Sequence, residues 1–322
     1  MISVTTCPSR RSLFLLLPLL ATSAPAGEAY LVVEANSGRI LMAHAAQERK
    51  PVASLTKIAS ALVVLDWAAA TKTDLGTVAV VPPSSTTLGG SNPMGLRPGD
   101  RITLRNALYS ALLGSDNASA QTLAHHVGGA LLRARGEGGD SVKNFVREMN
   151  VLAKGLGMKD TSFANAHGMD NARGRGLSTA TDMCRLSIYA MRKPGFAFFA
   201  KQKSRRVSFQ QQGGQLRGFT VQSTNKLLGQ QHINGIKTGM TARAGECLAT
   251  SSELKPLVHK LPDGKSLLTP RRLICVVLGS EDRFGRTKGL VQQGWAYYDK
   301  WMREGGVVTD PARETLRVPN PR

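Results

Sequence analysis

The order of periodicities along the chain predicts an α+β fold, with an antiparallel sheet flanked by helices and an inserted all-helical lobe at about residues 71–200. Three observations carry this. The chain opens on a strand-turn-strand pattern followed by a long apolar helix. Its middle third repeats apolar residues at helical spacing, and its last third returns to strand-like runs closed by a helix.

Residues 30–42 (YLVVEANSGRILM) read as two strands around the turn Asn36-Ser37-Gly38. Ser54–Ala70 places apolar residues at 55, 58, 61, 62 and 65, the 3.6-residue period of a helix. Pro51 lies just upstream, which puts Ser54 at the N-cap or in the first turn. Residues 71–103 are rich in Gly, Pro, Ser and Thr and read as loop, with a turn at Arg97-Pro98-Gly99-Asp100. Helical spacing resumes over Leu104–Leu113, breaks at Gly114 and resumes after Asn117. Gly128–Asp140 reads as a Gly-rich connection, and Ser141–Leu156 and Thr179–Met191 as two further helices. Strand-like runs follow at Ser204–Gln211, Gly218–Gln222, His232–Lys237, Glu246–Ser252 and Arg272–Leu278, with an amphipathic helix over Thr287–Arg303. One two-lobed domain, residues 27–305, accounts for these elements, and 306–322 reads as a polar, Pro-containing tail.

The first 26 residues have the pattern of an export signal: Arg10-Arg11, an apolar run Leu13–Leu20, and Ala24-Pro25-Ala26 as an A-x-A cleavage site. The expected mature protein is therefore periplasmic or extracellular, by either the general secretory or the twin-arginine route. The formal charge is +20, and +18 once Arg10 and Arg11 leave with the signal. Outside the cytoplasm such a charge suits an anionic cell envelope, or simply solubility. No RRM-like or zinc-finger pattern points to nucleic acid. Cys184, Cys247 and Cys275 remain after the signal, an odd set without C-x-x-C spacing, and they read as buried free thiols. The six histidines show no H-E-x-x-H spacing, so no metal is expected.

Three short motifs carry chemistry. Ser54-Leu55-Thr56-Lys57 puts a hydroxyl and an amine three residues apart on one helical face, where a desolvated lysine acts as base for a serine. The spacing recurs at Ser223–Lys226 and Ser252–Lys255, but only Ser54 opens a long apolar-periodic helix. Ser115-Asp116-Asn117 falls in the break between two helices, where a serine and an amide face one cleft or merely cap a helix. Lys237-Thr238-Gly239 occurs once, at the end of a strand-like run. A lysine beside a hydroxyl suits a carboxylate, and glycine lets backbone approach closely. S-x-x-K, S-x-N and K-T-G in that order are the signature of penicillin-recognising serine enzymes.

The sequence resembles the serine-type D-Ala-D-Ala carboxypeptidases among the low-molecular-mass penicillin-binding proteins, over roughly Ala29–Met302. The likeness extends to KPVASLTK (50–57), GLRPGDRIT (95–103), GSDNASA (114–120), Phe145–Asp170 with MNVLAKGLGMKDTSFANAHGMD, STATDM (178–183), residues 223–228, NGIKTGMTARAG (234–245) and GWAYYDKW (294–301). The resemblance implies a β-lactamase/transpeptidase-like fold, without cofactor. It implies Ser54 as nucleophile on a peptidoglycan stem peptide, Lys57 as general base, and Ser115 and Asn117 as proton relay and positioning groups. It further implies Lys237 and Thr238 on the terminal carboxylate beside Gly239, the N–H groups of Ser54 and Met240 as oxyanion hole, and β-lactams as covalent inhibitors.

Departures bear on these expectations. Asp116 stands where many members carry a small residue and gives the S-D-N form commoner in β-lactamases, yet no Glu-x-x-x-Asn motif follows; the region reads Asn165-Ala166-His167-Gly168. Thr224 stands near where some relatives carry an arginine. His167 reads as structural. Arg303–Arg322 has no apolar face, so no stable membrane anchor is expected. A D,D-endopeptidase, a β-lactamase and an inactive wall-binding protein remain the alternatives.

Overall fold

The computed structural model describes residues 27–170, 176–261 and 263–319; the expected signal, Met1–Ala26, lies outside them. In chain order the elements are β1 (Ala29–Glu34), β2 (Ile40–His44), β3 (Lys50–Pro51), a 3₁₀ turn (Ala53–Leu55), α1 (Thr56–Thr71), β4 (Val78–Val80) and β5 (Arg101–Thr103). Next come α2 (Leu104–Leu113), α3 (Asn117–Ala134), α4 (Ser141–Gly155), β6 (Leu177–Ser178), α5 (Ala180–Arg192) and α6 (Pro194–Ala200). Then follow β7 (Ser204–Gln210), β8 (Leu216–Gln222), β9 (Ile233–Thr241), β10 (Gly245–Lys260), β11 (Ser266–Ser280), α7 (Arg283–Arg303) and α8 (Pro311–Glu314).

The main sheet is antiparallel with strand order β2-β1-β11-β10-β9, so the strand carrying Lys237-Thr238-Gly239 lies at its edge. Both faces are covered, and the alternation of side chains divides them. Leu31, Val33, Ile274 and Val276 face the larger core with Ile58, Leu62, Met183 and Leu186. Val32, Leu273, Cys275 and Val277 face a smaller one with Leu290 and Val291 of α7. β1 and β11 are therefore continuous apolar runs. Helix α1 is buried on every side from Thr56 to Val64, the central post between sheet and helical lobe.

The inserted lobe is helical but not wholly so. β4 and β5, from residues read as loop, pair with β7 and β8 in a four-stranded sheet along its side. Gly128 and Gly129 do not end a helix; α3 continues to Ala134. The glycines serve a helix crossing instead. A Cβ on Gly128 would lie 1.9 Å from the Ser141 carbonyl oxygen, so α4 packs directly on the α3 backbone. The described part of the segment read as a tail, 306–319, packs back on the domain. Leu316 is buried, its N–H donates to the Gly38 carbonyl, and Arg39 pairs with Glu314.

Gly128→Ala is expected to destabilise the protein by about 1–3 kcal/mol through overpacking. Gly195→Ala, where a Cβ meets open space, is expected to change stability by no more than about 0.5 kcal/mol. Thermal unfolding of both variants checks the contrast.

Candidate active site

Ser54 sits in the 3₁₀ turn that leads into α1, one residue after Ala53, whose φ of +46° places it in the left-handed region. This tight entry makes Ser54 and Lys57 neighbours on successive turns. Lys57 is fully buried, and its Nζ donates to Ser54 Oγ (3.0 Å), Asn117 Oδ1 (2.7 Å) and the His167 carbonyl oxygen (2.7 Å). Burial lowers its pKa from 10.5 to about 7, against the opposing pull of Asp116. The amine is thus poised between its charged and neutral forms at neutral pH.

Each partner of Lys57 is held by its own local structure. Asn117 is the first residue of α3; its backbone N–H donates to Ser91 O and its Nδ2 to Gly89 O, which tie it to the 89–91 loop. The turn before it bends sharply at Ser115, half-buried with φ +59°. Asp116, the departure noted above, is the N-cap of α3. Its buried carboxylate accepts from the Ser119 N–H and from the hydroxyls of Ser110 and Ser119. Burial raises its pKa and those hydrogen bonds oppose the rise. Its side chain is accounted for by capping.

His167 contributes its main chain. Its carbonyl receives Lys57, while its ring Nδ1 accepts from the Met169 N–H. Burial, reinforced by Lys57, lowers the imidazole from 6.5 to about 3. Asn165 folds this turn by accepting from the N–H groups of His167 and Gly168. Gly168, at φ +85°, presses on the Ala53 carbonyl, where a Cβ would come within 1.9 Å.

The opposite wall is β9. Gly239 passes so close to the Ser54 turn that a Cβ would lie 3.0 Å from Ser54 N and from Val52 O. Only glycine leaves that approach undisturbed. Thr238 Oγ1 lies 2.6 Å from Thr224 Oγ1, and Thr224 donates from N and Oγ1 to Leu113 O at the end of α2. Lys237 is fully buried, and its Nζ donates to Thr238 O (3.0 Å). Burial first, then Lys57 and Arg283, hold its pKa well below 10.5. Met240 turns its side chain to solvent, 62% exposed, on the strand that forms the sheet edge among the described residues. The first half of that edge is capped. Gly229 N donates to Ile233 O and Asn225 Nδ2 to Gly235 O.

Two residues at this site escaped the reading of the sequence. Arg283 Nη1 donates to Gly239 O (2.9 Å) from the first turn of α7, four residues before the expected helix start. Asp170 accepts from Thr241 Oγ1 (2.9 Å) and joins the His167 turn to the end of β9. Cys184, Cys247 and Cys275 are buried free thiols far from nucleophilic form; burial pushes Cys247 up to about 11 and Cys275 to about 12. Among the described residues no group of three or more His, Cys, Asp or Glu side chains is arranged to hold a metal.

A serine beside a buried lysine, between a helical lobe and an edge strand bearing K-T-G, defines the active-site-serine architecture of penicillin-recognising enzymes. The family model for D-alanyl-D-alanine carboxypeptidase, peptidase S11, matches residues 20–257, and the chain belongs to that family. It is 32% identical over 221 residues to a D-alanyl-D-alanine endopeptidase of Pseudomonas aeruginosa, covering 68% of this chain and 64% of the relative. It is 29% identical over 281 residues to the D-alanyl-D-alanine carboxypeptidase DacC of Escherichia coli, covering 84% and 62%. The chain therefore spans somewhat over three fifths of the length of these relatives. Among solved structures it is similar to the Streptomyces K15 DD-transpeptidase, with TM-score 0.69, 26% identity and coverage of 83% and 96%. The ampicillin-bound penicillin-binding protein D2 of Listeria monocytogenes superposes with TM-score 0.66, 25% identity and the same coverage.

The low imidazole pKa has a stability consequence. Between pH 6.5 and about 3 the unfolded chain binds a proton at His167 that the folded protein refuses, so stability falls as the pH falls through that window. NMR is expected to find no His167 ring titration between pH 5 and 8, and His167→Gln to reduce the acid-side slope of stability by about one proton.

Proposed function

We propose that this protein is an exported serine D-alanyl-D-alanine carboxypeptidase of the cell envelope, acting on peptidoglycan stem peptides and acylated by β-lactams. One observation carries the reading: Lys57 Nζ has two carbonyl acceptors, Asn117 Oδ1 and His167 O, and Ser54 Oγ as its third neighbour. In the neutral amine those carbonyls take both N–H groups, which leaves the lone pair directed at the Ser54 hydroxyl. Ser54 Oγ attacks the carbonyl carbon between the two terminal D-alanines, and its proton passes to Lys57. The backbone N–H groups of Ser54 and Met240 stabilise the oxyanion. The C–N bond then breaks, the leaving D-alanine takes up the proton through Ser115, and water hydrolyses the ester on Ser54. Asn117 positions the substrate amide, and Lys237 and Thr238, supported by Arg283 through Gly239, hold the terminal carboxylate. The net positive charge favours residence near anionic envelope polymers.

Cleavage of D-Ala cross-links by the same chemistry is the second reading, favoured by the likeness to the Pseudomonas aeruginosa endopeptidase. A β-lactamase is disfavoured because Asn165, at the place where a deacylating carboxylate would be sought, is consumed in its own turn.

Incubation with a D-Ala-D-Ala-terminated muropeptide is expected to release D-alanine, and a fluorescent penicillin to label the protein durably. Ser54→Ala is expected to abolish both; persistence of either in that variant would refute the mechanism. Monomer released from cross-linked dimers measures the endopeptidase share.

The pH dependence follows from Lys57. Its neutral form is required and gains population as pH rises, so the acylation rate is expected to climb through about pH 7 and level off above it. Stopped-flow penicillin acylation between pH 5 and 9 checks this; a rate that falls across that midpoint removes Lys57 as base.

A further inference from the structure

β10 and β11 run on together beyond the sheet. β9 ends its pairing with β10 at Ser252, and β1 ends its pairing with β11 at Leu273. Past those points the two strands pair with each other as far as Lys260 and Ser266, a two-stranded arm. Residues 255–261 and 263–270 are all exposed. Five large apolar side chains lie there: Leu257, Val258, Leu261, Leu267 and Leu268, each 38–59% exposed. Val258 faces Leu268 across the arm on one side, so Leu257 and Leu267 stand on the other. Neither face has a core to enter.

The cationic partners of these leucines narrow the choice of what meets them. Residues 253–272 hold five Lys and Arg against two acidic residues, with Lys260 and Lys265 flanking the tip. Strand addition by another chain is impeded on both edges, because Pro256 and Pro270 offer no N–H near the base of the arm. A wall polyanion would satisfy the lysines and leave the leucines in water. A surface that offers negative charge and an apolar phase together is the headgroup boundary of an anionic bilayer. The free edges limit the depth, since unpaired backbone groups must stay within reach of water.

We propose that the β10–β11 arm docks shallowly on anionic lipid bilayers, with its leucines in the interface and Lys260 and Lys265 on the headgroups. Lys237 pairs with Ala249, twelve residues before Leu261. The arm thus holds the Ser54 cleft up to about 40 Å from the lipid, within reach of polymeric wall and away from substrates still embedded in the membrane.

Vesicle co-sedimentation of the full chain tests this, with phosphatidylcholine alone and with phosphatidylcholine–phosphatidylglycerol. The unaltered chain is expected to bind the mixed vesicles. The double variant Leu267→Asp, Leu268→Asp is expected to bind at least about tenfold more weakly, and Lys260→Gln and Lys265→Gln about fivefold more weakly each. All the chains share residues 1–26, so differences between them report on the arm, and undiminished penicillin labelling shows that each variant is folded. Equal sedimentation of the Asp variant overturns the proposal, as does binding that responds to the lysines alone. Lipid-independent self-association that the Asp variant abolishes also overturns it, and assigns the arm to a second copy.

Discussion

Lys57 keeps its amine in an interior where a cation is costly, and the arrangement around it makes that burial tolerable. Two carbonyl oxygens and one hydroxyl surround Nζ, each delivered by a different part of the chain. Asn117 depends on the Asp116 cap and the bend at Ser115, the His167 carbonyl on the turn folded by Asn165, and Ser54 on the left-handed Ala53. A second buried lysine, Lys237, has its pKa held well below 10.5 by burial first and then by Lys57 and Arg283. The close packing of Gly168 on Ala53 and of Gly239 on Ser54 holds these parts in one rigid cluster.

Much of this was legible in the chain. Ser54 and Lys57 could be read because an apolar helix begins between them, and Lys237-Thr238-Gly239 because a strand-like run ends on it. The long first helix stands close to where periodicity put it, the closing helix begins four residues early, and the strands of the sheet run past their expected ends. The bend at Ser115-Asp116-Asn117 shows both roles weighed for it: Asp116 caps the helix, and the side chain of Asn117 reaches Lys57.

The rest was hidden for physical reasons. β4 and β5 are three-residue strands that pair with each other, and β5 meets β7 about a hundred residues further on, so no local alternation announces them. Glycine at 128 and 129 reads as a breaker in one dimension and as clearance for a crossing helix in three. Arg283 and Asp170 act through a backbone carbonyl and a threonine hydroxyl across the cleft, contacts that carry no spacing rule. The outer half of the β10–β11 hairpin was not read as strand, because exposed leucines among lysines follow neither a helical nor a half-buried strand pattern.

Edge strands ordinarily invite other chains to extend the sheet. On β9 that invitation is cut short. Asn225 and Gly229 occupy the carbonyls of its first half, and Asp170 fastens the side chain at its far end. Between them Arg283 occupies the Gly239 carbonyl. Otherwise the stretch without such a cap among the described residues, Lys237 to Met240, is about 13 Å of strand. A folded protein's strand is too long and too bulky for so brief a berth. A berth of that length suits no more than the tip of an extended peptide.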